Sequence, residues 1–69
     1  IKMREQLLNA LRAYYTGQIE KHRMNVENLI TNSVGVAEHP DHMETVCKEM
    51  CEVSKYDECL QMLDKYFKE

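Results

Sequence analysis

The chain is short of nearly everything that breaks or turns a backbone. One proline (Pro40) and two glycines (Gly17 and Gly35) are spread over 69 residues. Such scarcity argues against a β-rich fold, whose strands need turn residues between them. No apolar run approaches the roughly 18 residues of a membrane span. The start carries no signal-peptide pattern, and the expected initiator is either Met3 or an earlier methionine since removed. Basic residues fall short of acidic ones, nine against twelve, for a net charge of −3. A domain that neutralises phosphates normally carries the opposite imbalance, so nucleic acid is not an expected partner. Three cysteines cannot close a set of internal disulfides, and the expected state is reduced thiols in a cytoplasmic compartment. No Ser-His-Asp order, phosphate loop, dinucleotide fingerprint or paired catalytic carboxylate motif is present, so neither an enzyme nor a bound cofactor is expected.

What remains is a helical composition. Hydrophobic residues make up 43% and charged residues 30%, which is globular or bundle-like rather than disordered. From position 2 to about 31 the interruption is Gly17 alone, and strong helix formers dominate. An apolar stripe runs through Leu8, Leu11, Tyr15, Ile19, His22, Val26 and Ile30 in steps of 3, 4, 4, 3, 4, 4. That spacing lies nearer an eleven-residue repeat than a heptad and predicts a nearly straight stripe, widened by Leu7, Tyr14 and Leu29. Residues 32–39 break the pattern, with Asn32 and Gly35 suited to ending a helix and Val34 and Val36 expected over the end of the bundle. Pro40 fits a first helical turn, and Asp41 and Glu44 suit the positive end of the helix dipole. From 40 to about 68, Met43, Val46, Met50, Val53, Tyr56, Leu60, Leu63 and Phe67 trace a second stripe.

Two helices of equal length joined by a short loop return antiparallel. Charge agrees: residues 1–31 hold five basic against three acidic residues, residues 32–69 four against nine. The expected fold is therefore all-α, an antiparallel two-helix hairpin forming one domain. A chain of this size buries only about 60% of the surface its unfolded form exposes, and a lone hairpin leaves one side of each stripe wet. Two-fold dimerisation into a four-helix bundle removes that exposure. A homodimer is thus the leading expectation, with docking onto a different protein second.

A few residues carry possible chemistry. His39 and His42, beside Glu38, Asp41 and Glu44, form the most metal-like stretch; the plainer reading makes His39 a cap and His42 a solvated first-turn residue. Cys47 and Cys51 share a helix face, with Cys59 two turns on. Two close pairs, the strong zinc signal, are absent, and small soft filler at the edge of a helix interface is the simpler role. A metal- or thiol-dependent module built on these five residues is the second functional class. His22 sits in the apolar stripe and is expected to bond a tyrosine or an acid across the interface, with Asn25 in the same polar layer and able to fix register. Tyr14 and Tyr15, interleaved with Arg12, Lys21 and Arg23, offer a third class, a nucleic-acid accessory factor. The aromatics read more simply as packing at the two ends of the bundle.

The series Leu11-Arg-Ala-Tyr-Tyr15, Ile19, Lys21-His22, Asn25-Val26-Glu27, Asn32, Val34-Gly35-Val36, Glu38-His39, Tyr56-Asp57, Leu63 and Tyr66-Phe67 resembles a group of small helical proteins from marine tailed phages of the T4-like cyanophage type. The resemblance spans nearly the whole chain and includes no catalytic motif. It implies a viral accessory or interaction protein made in the host bacterial cytoplasm, acting on a host or phage protein. Ser33 stands where that pattern has proline, and the cysteine positions are ones it fills with charge, so the resemblance lends the thiols no shared role.

Overall fold

The computed structural model describes residues 2–32 and 40–68. Two α-helices account for almost all of them: α1 over Lys2–Thr31 and α2 over Pro40–Tyr66. The helices pack directly against each other, and no strand occurs among the described residues. The expected connecting loop, with Gly35, Val34, Val36 and His39, lies outside the described residues apart from Asn32. The Asn32 amide still donates to the Asn28 carbonyl at 2.9 Å, carrying the α1 ladder one step past Thr31. At the far end α2 stops at Tyr66, two residues short of the expected Lys68, and the Phe67 amide closes the last turn on Leu63 O at 2.9 Å.

The ends of α2 are chemically marked. Pro40 and Asp41 occupy its first turn and Lys65 its last, which places charge of the favourable sign at each pole of the helix dipole. Exposed ladders of side-chain bonds support both surfaces: Arg23 to Glu20 at 2.7 Å, Lys55 to Glu52 at 3.2 Å and Gln61 to Asp57 at 2.8 Å. Pairs of this kind contribute only a few tenths of a kcal/mol each.

The seam follows a rule that differs from the expected one. A continuous series of half-buried or buried positions on α1 runs Leu8, Arg12, Tyr15, Ile19, His22, Val26 and Leu29, and on α2 His42, Val46, Glu49, Val53, Tyr56, Leu60 and Leu63, with Gln18, Asn25, Glu52 and Cys59 half-buried along one edge. Both series step strictly by 4 and 3, a heptad rather than an eleven-residue repeat. The discrepancy has a simple source. Arg12, His42 and Glu49 are seam residues that a purely hydrophobic reading passes over, so the apolar pattern borrowed Leu11, Ile30, Met43 and Met50 from the flanks instead.

The layers pair antiparallel across the seam. The Tyr15 and Tyr56 rings lie 6.3 Å apart, His22 meets Glu49, and His42 reaches the Leu29 carbonyl. The resulting core is thin. Among the described residues the buried hydrophobics are Leu8 and Leu63, at 9% and 6% exposure, joined by His22 at 8%. The molecule is a rod of 55 × 16 × 12 Å with a radius of gyration of 16.0 Å, against about 11 Å for a compact chain of this length.

Candidate self-association surface

A polar layer crosses the middle of the seam. The Nδ1–H of His22 donates to Glu49 Oε1 at 2.6 Å, and Asn25 Nδ2 donates to the same oxygen at 2.8 Å. The Glu49 side chain is 22% exposed, so one carboxylate oxygen is spent on two donors while the group keeps contact with water. The hydrogen bond from His22, then that from Asn25, holds the Glu49 carboxyl below its ordinary value. Asn25 joins His22 in this layer through an acid of the facing helix that hydrophobic periodicity had no means to select.

One turn away the rings gather. Tyr56 stacks on His22 with planes 9° apart and centroids at 6.0 Å, meets Tyr14 edge-on at 6.1 Å, and carries Lys55 Nζ over its face at 4.7 Å. A hydrogen bond with Tyr14, followed by burial, raises the Tyr56 phenol above its ordinary value. The cluster therefore belongs to the middle of the rod rather than to an end. Tyr66 and Phe67 pair at the other expected place, by the chain termini.

His42 is not the solvated residue that sequence position suggests. Its Nε2–H donates to the Leu29 carbonyl at 3.0 Å, in the last turn of α1, where helix carbonyls commonly take partners from outside the helix. The imidazole thus caps α1 from the opposite helix. His39 lies outside the described residues. Among those described, no group of three or more His, Cys, Asp or Glu residues is placed to hold a metal ion. Cys47 and Cys51 are free and exposed, while Cys59 is free and half-buried next to the seam residue Leu60.

Apolar side chains left outside the hairpin collect in two grooves. In the half nearer the chain ends, Leu8, Leu11, Tyr15, Cys59, Met62, Leu63 and Phe67 line a depression with one charged residue, Glu58. In the other half, Met24, Val26, Met50 and Val53 line a second, rimmed by Glu20, Arg23 and Glu27. Leu11 and Cys59 directly precede the seam residues Arg12 and Leu60, whereas Arg23 and Met50 directly follow His22 and Glu49. The grooves consequently open on opposite flanks. A third depression, around His22, Cys47, Glu49 and Cys51, is lined chiefly by residues with charged ends, Glu44, Lys48 and Glu52 among them.

Placed against the expected interface, Val46, Val53, Tyr15, Tyr56, Ile19, Val26, Leu60 and the buried Leu8, Leu63 and His22 face the seam. Leu11, Ile30, Met43, Met50 and Phe67 stand outside it, with Met43 72% exposed. Leu7, Tyr14, Met24 and Met62 are further exposed apolar residues. Among the described residues, neither helix is long and apolar enough to cross a membrane. Comparison with known protein families, curated proteins and solved structures finds no match to this chain.

Proposed function

We propose that this chain is a non-enzymatic, self-associating helical protein whose hairpins pair into a four-helix bundle and present a binding surface. The observation that carries this reading is the mismatch between core and exposed apolar surface. Among the described residues, two buried leucines and one histidine form the core, while eleven large hydrophobic residues are exposed. A monomeric globular protein of 8.2 kDa has an accessible surface of about 4,500 Å²; this chain has 5529 Å². The excess, about 1,000 Å² per chain, would make a dimer interface of about 2,000 Å² if both copies buried it, the size of stable assemblies.

The resemblance to small cyanophage proteins supports the rest of the reading, an accessory or interaction protein acting on a host or phage partner in the bacterial cytoplasm. Sedimentation of the purified chain over a wide concentration range tests the central claim. A dimer whose helicity falls as it dissociates is the expected result. A folded, cooperative monomer at every concentration would contradict it.

A further inference from the structure

We infer that the groove near the chain ends, walled by Leu11 of α1 and by Cys59 and Met62 of α2, seats the same groove of a second copy. The two-fold axis then runs along the helices, so that α1 packs on the partner's α2 and both connecting segments lie at one end. This inference rests on the self-association reading and specifies its face and direction.

Three observations select the groove. Its lining is aromatic and aliphatic with one charge, Glu58, whereas the groove on the opposite flank is edged by Glu20, Arg23 and Glu27. Interface centres are depleted in charge and rich in aromatic and Met side chains. The groove is also continuous with the buried pair Leu8 and Leu63, so a second copy extends an existing core rather than founding a separate one. On the same flank toward the connecting segments, Asn25 and Glu52 are half-buried polar residues. An axis across the rod's midpoint would press the apolar groove of one copy onto that polar stretch of the other.

Charge fixes the direction. An axis parallel to the helices sets α1, with five basic and three acidic residues, against the partner's acidic α2 segment, with four basic and nine acidic. The perpendicular arrangement sets α2 against α2 and brings like charges together. Burying the chain's excess surface of about 1,000 Å² per copy takes contact along the whole flank that holds the groove, and such a contact falls within the range of stable interfaces.

Cys59 is a native reporter inside the groove, and the exposed Cys47 and Cys51, which do not line it, are internal controls. Maleimide labelling of the unmodified chain, read site by site through peptide mass spectrometry, is carried out above and below the concentration at which sedimentation shows dissociation. The expected result is Cys59 labelling slowed at least about tenfold relative to Cys47 and Cys51 in the dimer, with the difference shrinking on dilution. In parallel, Met62→Asp weakens dimerisation about a hundredfold, while Met50→Asp on the opposite flank changes it less than about threefold. A dimer in which Cys59 labels as fast as in the monomer, or in which Met50→Asp is the damaging change, overturns the face assignment and leaves self-association standing. A chain that never dimerises overturns both. Direction is read from spin labels at Thr31→Cys in a chain with its three native cysteines replaced by serine. Inter-copy distances of about one bundle width support the parallel axis, and distances of about 40 Å or more, the separation that the rise per residue gives for opposed ends, refute it.

Discussion

His22 and Glu49 face each other across the midpoint of the seam at 2.6 Å, each on the heptad position where a coiled hairpin ordinarily holds a leucine. A buried polar pair at such a site contributes little net stability and is best attested as a device that fixes register. Sliding α2 by one heptad would set His22 against His42 or Tyr56 and Glu49 against Tyr15 or Leu29, leaving the carboxylate without its two donors.

The pair makes the fold sensitive to acid, with a definite sign. The Glu49 carboxyl titrates below its ordinary value of 4.5 in the folded chain, first through His22 and then through Asn25. Its contribution is therefore fully present above that ordinary value and disappears as pH falls through the lower folded one. Thermal melts between neutral pH and pH about 3 should show this loss in the parent chain. Glu49→Gln should flatten that part of the profile; an unchanged acid slope would remove Glu49 as its source.

Replacing both His22 and Glu49 by leucine should raise the melting temperature while relaxing specificity. Sedimentation of the double variant is expected to show more than one oligomeric state. A single dimer identical to the parent's would mean that register is set elsewhere in the seam.

Gly17 lies in the interior of α1 with open space around the position a Cβ would take. Gly17→Ala should stabilise the helix by about 0.5–1 kcal/mol, or about 4 °C in the melting midpoint. A lower midpoint would show that this face of α1 is covered in the assembled protein.

His42→Ala removes the donor that caps the Leu29 carbonyl. The expected cost is about 1 kcal/mol, localised to the last turn of α1. Hydrogen exchange at the Asn32 amide, which donates to Asn28 O, should accelerate more than exchange near Leu8. Uniform acceleration along the chain would instead mark a global effect.

Leu63→Ala and Leu11→Asp separate core from surface. Leu63 is buried, and its truncation should cost about 2–3 kcal/mol, toward the lower end for leucine because so thin a core can close partly around the gap. Leu11 is 37% exposed in the single hairpin, so an aspartate there perturbs the isolated chain little and the assembly strongly. Persistence of the parent's oligomer in Leu11→Asp, seen by light scattering, would exclude Leu11 from the interface.

Sequence alone determined that the described chain is two helices, because local propensity and the absence of breakers decide helix formation within each segment. It also singled out His22 with Asn25 as a polar layer, and it set all three cysteines at a helix-interface edge, where Cys59 is half-buried but Cys47 and Cys51 are exposed. Tertiary structure decided the rest, because seam membership depends on what faces each residue across 10 Å of interhelical space. Arg12 enters the seam by reaching Asp64 at 2.6 Å, Glu49 by accepting from His22 and Asn25, and His42 by capping Leu29. A carboxylate such as that of Glu49 can occupy a half-buried seam position only when the opposing helix supplies its partners, and these lie 24 and 27 residues away along the chain.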